Sequence, residues 1–253
     1  MRTLNEELIG LVPAAGKGVR LSLPYPKELY PIIRDNRYKP VAQFVLDDMV
    51  CSGIAHVVFV INDSKHQLIG YFGDGHRFGS HISYVVQEQN GLNNGSTSPG
   101  LAHALDSAFH LTRGKTVFFG MPDTVMSPGD VFAQMRVFSD DGDDAVLGLF
   151  PTKRPEKFGM VRLDREDRVL EIVDKPSKTD LVDMWGCIMW RSRFTEHLHN
   201  CVGRRGIHDF AEILNEAIAL GFTIRGLRIP SGTYKDLGTY EEIRELDQLL
   251  RQP

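Results

Sequence analysis

Residues 10–32 read GLVPAAGKGVRLSLPYPKELYPI, and within this stretch a flexible segment of backbone is followed by a stiff one. The apolar run at 8–14 predicts a buried strand, because it is short and runs into turn-forming residues. Gly16 and Gly18 follow directly, and glycines in such a turn let backbone N–H groups point at a phosphate. Prolines then surround Lys27 and restrict the backbone that carries it. The stretch therefore predicts a strand followed by an anion-binding turn.

Short apolar runs alternate with helical patterns through the rest of the first half. A buried strand is predicted at 54–61, an alternating strand at 81–88, and a further strand at 115–123 that ends in a carboxylate. Helical patterns at 40–53 and 98–111 separate them. This alternation predicts βαβ units and a mainly parallel sheet.

The pattern changes after about residue 125. The segments 159–164 and 168–174 are strand candidates joined by the polar turn DREDR, which predicts a hairpin. Further strands are predicted at 144–152, 184–191 and 222–229, and helices at 127–138, 207–221 and 239–250. We expect one continuous mixed sheet.

Two local expectations concern side chains. Trp185 and Trp190 stand five residues apart in a predicted strand, so they are expected on opposite faces of the sheet. The segment RDNRYK at 34–39 is expected to be a short, exposed, charged loop.

Composition excludes several classes of protein. The 253 residues are 42% hydrophobic and 25% charged with a net charge of −4, so neither a nucleic-acid nor a membrane partner is indicated. The three cysteines are scattered and form no CxxC pair, which predicts free thiols. The sequence contains neither HxH nor HExxH, so no histidine metal site is predicted. Two glutamates near the N-terminus argue against a signal peptide. No apolar run approaches the length of about 18 residues that a membrane span needs. We expect a soluble, cytoplasmic protein.

The glycine turn alone is ambiguous, because a tight strand-to-loop turn would need the same residues. It does not fit the P-loop pattern GxxxxGK[ST]. The dinucleotide pattern GxGxxG fits at Gly16 and Gly18 but fails at Leu21, which weakens an NAD-dependent dehydrogenase as an interpretation.

The combination of VPAAGKGVRL with PKELYPI resembles the opening signature of the sugar-phosphate nucleotidylyltransferases. These enzymes join a nucleoside triphosphate to a sugar 1-phosphate and release pyrophosphate. Eight segments follow the family's order over nearly the whole chain, and PAAG and PKE look closer to the UDP-glucose and dTDP-glucose types. The resemblance implies a Rossmann-like three-layer α/β/α fold with a mixed, mainly parallel central sheet. It also implies one domain over 1–253, with a nucleotide-binding half at 1–125 and a sugar-phosphate-binding half at 126–253.

The resemblance further implies which residues meet the nucleotide. Arg20 and Lys27 would hold its phosphates, Gln87 in YVVQE would read a pyrimidine edge, and Gly100 in GLAHAL would lie against the base or ribose. The turn residues implied to bind the nucleotide are Ala14, Ala15, Gly16, Lys17 and Gly18.

Later motifs imply the metal and sugar ligands. Asp123 in GMPD and Asp236 in YKDLGT would bind Mg²⁺, which prefers hard oxygen ligands. Lys175 in EIVDKP would hold the sugar phosphate. The residues implied to meet the sugar are Gly159, Asp174, Lys175 and Trp185.

Three features depart from the family pattern. Arg20 and Lys27 are only seven positions apart, which is shorter than usual. Gln87 and Gly100 are thirteen apart, which is longer than usual, and residues 89–99 between them could form a lid or alter the choice of acceptor. Asp174 replaces the usual glutamate, so the acceptor is left open.

Three functions therefore remain under consideration. A Mg²⁺-dependent transfer from UTP or dTTP to a sugar 1-phosphate is favoured, since the amide of Gln87 can pair with uracil or thymine. A cytidylyltransferase acting on another phosphate or phosphonate is the alternative, and a catalytically silent nucleotide-binding homologue is the third. A homo-oligomer is left open by analogy with relatives.

Overall fold

A computed structural model describes residues 7–18, 21–34, 37–88 and 100–250. The strands are β1 (Leu8–Pro13), β2 (Pro31–Arg34), β3 (Arg37–Pro40), β4 (His56–Ile61), β5 (His81–Val86), β6 (Thr116–Gly120), β7 (Thr124–Ser127), β8 (Ala145–Pro151), β9 (Gly159–Leu163), β10 (Val169–Asp174), β11 (Asp183–Trp190), β12 (Ile224–Arg228) and β13 (Thr233–Asp236). The α-helices are α1 (Val41–Cys51), α2 (His66–Phe72), α3 (Leu101–Ser107), α4 (Phe109–Thr112), α5 (Val131–Phe138), α6 (Ser192–Arg205), α7 (Phe210–Ala219) and α8 (Tyr240–Leu250). None of the helices in these ranges combines the length and the apolar character that a membrane span requires.

The central sheet has the order β5-β4-β1-β6-β11-β8-β12, and the β9–β10 hairpin joins it through β9 and β11. Strands β5, β4, β1 and β6 pair in parallel, as do β8 and β12. Strand β11 runs antiparallel to both β6 and β8. The expected mixed, mainly parallel sheet is confirmed.

Helices cover both faces of this sheet, because successive strand residues point to opposite sides. In β4, Val58 and Val60 pack in the core under α3, α6 and α7. Val57 and Phe59 of the same strand pack in the core under α1, α2 and α5. This alternation produces the expected three layers.

The last helix returns to the first segment of the chain. Leu246 of α8 and Leu237 share a small core with Leu21 and Ile32. The hydroxyl of Tyr240 donates a hydrogen bond to the carbonyl of Leu21 at 2.7 Å. The C-terminal segment therefore supports the segment that carries Lys27.

Some elements differ from the sequence prediction. The expected loop at 34–39 is wrong, because β2 and β3 form an antiparallel hairpin there. Helix α6 was not predicted, and the predicted helix at 98–111 is divided into α3 and α4. The strand predicted at 115–123 ends at Gly120, so its carboxylate lies in the following turn. Residues 89–99, including the predicted lid, lie outside the described residues.

The two tryptophans of β11 lie on one face, not on opposite faces. Both rings lie about 6 Å from those of Phe119 and Phe210, between 5.9 and 6.5 Å. The cause is a β-bulge in β11. Trp185 pairs with Leu149 of β8, and Cys187, two residues later, pairs with the adjacent Gly148. One extra residue reverses the alternation of side chains.

Asp48 on α1 gives the protein a pH-dependent stability. Burial raises the pKa of Asp48 to about 7, with Lys39 opposing the shift and Asp47 and Asp130 adding to it. The folded protein therefore holds this proton more tightly than the unfolded chain, and stability falls as the pH rises from about 4 to about 7. Between pH 5 and pH 8, wild type should lose about 2 kcal/mol of its unfolding free energy through the ionisation of Asp48. Asp48→Asn has no proton to lose there, so its unfolding free energy should rise by about 2 kcal/mol relative to that of wild type over this range.

Urea unfolding at the two pH values measures this gain. Asp47→Asn removes a carboxylate one residue away and serves as the control. A gain of equal size in the control, or none in Asp48→Asn, would contradict the assignment.

Candidate active site

The glycine turn after β1 is held by hydrogen bonds at its first residues and is exposed to solvent at the next ones. The backbone N–H of Ala14 donates to the carbonyl of Val60 at 2.7 Å, and the side-chain amide of Asn62 donates to the carbonyl of Ala15 at 2.7 Å. Gly16 and Lys17 are exposed, and Gly18 has a φ of 64°, which favours glycine. The sequence did not single out Asn62.

Lys27 connects this turn to the acidic residues. It begins a short 3₁₀ turn after Pro26, and its ammonium forms an ion pair with Oδ2 of Asp123. Burial lowers the pKa of Lys27, but attraction to Asp123 outweighs it, so the pKa lies above its usual value. Lys27 reaches the acidic pair despite the short spacing to Arg20, which lies outside the described residues.

A buried ion pair anchors the residue after Lys27. Glu28 and Lys65 meet at 2.5 Å with side chains 1% and 4% exposed. Separating the two members of such a pair would leave an uncompensated buried charge, so each member holds the other in place. The sequence did not predict this pair, because its members are 37 residues apart.

Asp123 and Asp236 are brought together by the small sheet of β7 and β13. Asp236 pairs with Thr124, and the N–H of Leu237 donates to the carbonyl of Asp123 at 2.8 Å. Asp123 is 4% exposed, and its Oδ1 is buried without a hydrogen-bond partner among the described residues. A buried, unpartnered carboxylate oxygen beside a second carboxylate fits a hard cation such as Mg²⁺.

A cleft of about 430 Å³ lies beyond the end of β6, and it collects most of the predicted side chains. The predicted residues that line it are Lys27, Gly100, Asp123, Gly159, Asp174, Lys175, Trp185 and Asp236. A second pocket, of about 250 Å³, is lined by Lys17, Gly18 and Lys27. Lys27 therefore faces both spaces, which places a cation where two anionic groups could meet.

Gly159 and Trp185 shape one wall of the cleft. A Cβ at Gly159 would collide with the indole nitrogen of Trp185. That nitrogen is buried and has no hydrogen-bond partner among the residues described. Buried donors in proteins are normally hydrogen-bonded, and a bound ligand can supply the acceptor here.

Lys175 adopts an unusual backbone conformation beside Gly159, whose strand pairs with the strand that ends at Asp174. Its φ is 44°, which costs a non-glycine residue about 1–3 kcal/mol, and its N–H donates to the carbonyl of Phe158 at 3.0 Å. Its ammonium lies 2.9 Å from Oδ2 of Asp174, and both side chains are exposed. The lysine is thus held at the mouth of the cleft.

Gln87 is 4% exposed, and its side chain contacts the first turn of α3. Its side-chain nitrogen lies 3.0 Å from Nδ1 of His103, on the helix that Gly100 begins. A Cβ at Gly100 would come within 2.9 Å of the carbonyl oxygen of His208. Gln87 is not among the residues lining the cleft, so its role in reading the base stays a prediction.

Several further cleft residues had no role in the sequence prediction, among them Lys157, His208, Asp209 and Tyr234. Burial, with Asp123 and Asp236 nearby, raises the pKa of Tyr234 well above its usual value. Alternation along β13 could have indicated Tyr234, since it stands two residues before Asp236. Lys157 is held by Glu242 of α8 at 2.6 Å, a contact that no local pattern indicates.

The family model described as nucleotidyl transferase matches residues 9–252. The chain belongs to the nucleotidyl transferase family. The resemblance seen in the sequence is thereby confirmed. The chain is similar to the glucose-1-phosphate thymidylyltransferase of Streptomyces griseus, with 29% identity over 95% of this chain. The chain spans 65% of the length of that relative.

Solved structures share the fold of this nucleotidyl transferase family member. A Bacillus anthracis protein crystallised with sucrose superposes with a TM-score of 0.82 at 21% identity, over 97% of this chain and 96% of that one. UDP-glucose pyrophosphorylase from Acinetobacter baumannii gives a TM-score of 0.75 at 17% identity, over 94% and 91% of the two chains. These likenesses establish a Rossmann-like nucleotidyltransferase fold.

Proposed function

We propose that this chain transfers a nucleotidyl group from UTP or dTTP to a sugar 1-phosphate, forming a nucleotide sugar and pyrophosphate. The observation that carries this proposal is the meeting of Asp123, Asp236 and Lys27 in a cleft that also contains Lys175. The names of relatives agree with it, since thymidylyltransferases and the low-salt glycan nucleotidyltransferase Agl11 of Haloferax volcanii match this chain.

The reaction asks the protein for positioning and charge neutralisation. An oxygen of the sugar phosphate attacks the α-phosphorus in line, a new P–O bond forms, and the bond to pyrophosphate breaks. Lys27 would hold the α-phosphate and Lys175 the acceptor phosphate, so that two repelling anions can approach. The exposed turn at Gly16 and Lys17 would receive the outer phosphates.

Asp123 and Asp236 would hold Mg²⁺, and Oδ1 of Asp123 is the oxygen whose bonding capacity is unused among the described residues. When bound, the cation would neutralise phosphate charge. In this role the ion pair of Lys27 with Asp123 holds the carboxylate in place before the substrates bind.

The contact of Gln87 with His103 supports a pyrimidine nucleotide. If the amide nitrogen of Gln87 donates to Nδ1 of His103, its oxygen is left to accept the N3–H of uracil or thymine. Cytosine has no N3–H, so its N3 would meet that oxygen as a second acceptor, and only its N4 amino group could donate to it. We therefore place CTP after UTP and dTTP.

Pyrophosphate release tests the proposal, with each nucleoside triphosphate against a panel of sugar 1-phosphates, in Mg²⁺ and in EDTA. We expect turnover with UTP or dTTP and at least one sugar 1-phosphate, abolished by EDTA and restored by Mg²⁺. Mass spectrometry should find the matching nucleotide sugar. Nucleotide binding without turnover for any pair would instead support a silent homologue.

Trp185 gives a prediction about the acceptor. Because its indole N–H is buried without a partner, we expect a bound sugar phosphate to accept from it. Trp185→Phe keeps an aromatic ring and removes the N–H, so the KM for the sugar phosphate should rise about 5-fold, as expected for one hydrogen bond. The KM for the nucleotide is the internal control and should stay within about 2-fold. Equal effects on both would show that Trp185 does not select the acceptor.

A further inference from the structure

A cluster of metal-binding side chains lies away from the cleft, between α6 and α7. His197 and Cys201 stand one turn apart on α6, and Glu216 faces them from α7. One potential ligand atom from each lies within 4.8 Å of the others. Among the described residues, no other group of three or more histidine, cysteine or acidic side chains meets this distance.

The distances within the cluster fit one metal ion. Sγ of Cys201 lies 3.5 Å from Nε2 of His197 and 3.6 Å from Oε1 of Glu216, and the latter two atoms are 3.9 Å apart. A tetrahedral Zn²⁺ with ordinary bond lengths separates sulfur, nitrogen and oxygen ligands by about 3.3–3.6 Å. The three atoms therefore already lie close to three corners of a zinc tetrahedron.

Burial and access also suit a metal site. Cys201 is 1% exposed, and the side chains of His197 and Glu216 are 9% and 23% exposed. The thiol and imidazole are thus shielded, whereas the carboxylate opens to solvent and gives an ion a path inward.

Two contacts compete with a metal. The guanidinium of Arg205 pairs with Oε1 of Glu216, and Nε2 of His197 lies 3.4 Å from the carbonyl of Ile213. The side chain of Arg205 is 53% exposed and can move, and rotation of the carboxylate offers its second oxygen to an ion. The contact with Ile213 is long for a hydrogen bond and is readily exchanged.

We propose that His197, Cys201 and Glu216 form a zinc-binding site that fastens α6 to α7. The fourth position is filled by water, and the thiol proton of Cys201 passes to solvent on binding. Helix α7 begins at Phe210, which lines the cleft, so the ion would hold the helix that forms one cleft wall. The site needs neither the nucleotide nor Mg²⁺ and stands independently of the proposed function.

No local sequence pattern predicts this site. His197 and Cys201 are four residues apart and match neither HxH nor HExxH, and Glu216 follows fifteen residues after Cys201. Only the packing of α6 on α7 places the third ligand.

Titration of the metal-free full chain with Co²⁺ tests the proposal, because only a thiolate ligand produces a sulfur-to-cobalt charge-transfer band. We expect that band at one Co²⁺ per chain, with loss of the band when Zn²⁺ is added. It should persist in Cys51→Ser, which removes the exposed cysteine, and disappear in Cys201→Ser. His197→Gln should weaken binding at least about 10-fold.

Thermal unfolding provides a second readout. Zn²⁺ should raise the Tm of wild type and Cys51→Ser but not that of Cys201→Ser, since an ion that binds only the folded state stabilises it. The proposal is overturned if wild type shows no charge-transfer band, or if the band survives in Cys201→Ser. Ions at Asp123 and Asp236 would not produce the band, which keeps the two sites distinguishable.

Discussion

Replacing Asp236 by asparagine should lower turnover at least about 100-fold while leaving the fold intact. Asp236 ends β13, lines the cleft, and lies opposite Thr124 beside the buried carboxylate of Asp123. An amide of the same shape preserves the packing of β13 but removes one negative charge from the proposed Mg²⁺ site. The lost charge matters most when pyrophosphate departs, because that is when phosphate charge must be neutralised.

Steady-state kinetics at saturating substrates and varied Mg²⁺ measure this effect. We expect both a lower kcat and a higher Mg²⁺ requirement, with circular dichroism unchanged. Asp180→Asn is the matched control, since Asp180 is an exposed aspartate that pairs with Arg162. Near-wild-type turnover in Asp236→Asn would remove Asp236 from the proposed metal site.

Lys27→Gln should have opposite effects on catalysis and on metal binding. Loss of the ammonium removes the cation proposed for the α-phosphate, so turnover should fall about 100-fold. The same ammonium pairs with Asp123 in the structure, where it competes with a divalent cation. In the absence of nucleotide, we therefore expect Lys27→Gln to bind Mn²⁺ several-fold more tightly than wild type.

Calorimetric titration with Mn²⁺ and pyrophosphate-release kinetics measure the two effects separately. Asp123 loses its partner in this variant, so Tm should fall in EDTA and recover in Mn²⁺. Lys178→Gln, which removes an exposed lysine, is the control and should change neither quantity. Weaker Mn²⁺ binding together with unchanged turnover would contradict the role assigned to Lys27.

Much of the fold was predictable because its strands are short apolar runs and its helices carry their own periodicity. Local signals of this kind identified β1, β4, β5 and the β9–β10 hairpin. They failed at the β2–β3 hairpin, whose strands PIIR and RYKP are only four residues long and each contain a proline, and at Trp185 and Trp190. There a β-bulge changed which face the side chains occupy, and a bulge leaves no clear mark in a regular alternation.

The candidate site was partly predictable for a different reason. Motif resemblance selected Lys27, Asp123 and Asp236 one by one, and the structure places all three at one cleft. It assigned no role to Lys157, whose position depends on Glu242 of the last helix. Contacts between distant segments carry no local pattern, so neither periodicity nor a motif could reveal them.

The sequence by itself determined the alternating strands and helices, the glycine turn after β1, and the family to which the chain belongs. Backbone preferences and side-chain spacing act over a few residues, so they can be recognised in the local sequence. Only the tertiary structure decided that Asp123 meets Asp236, that Glu28 pairs with Lys65, and that Glu216 faces Cys201. Each of these pairings joins separate elements, and burying apolar faces on both sides of one sheet is what brings them together.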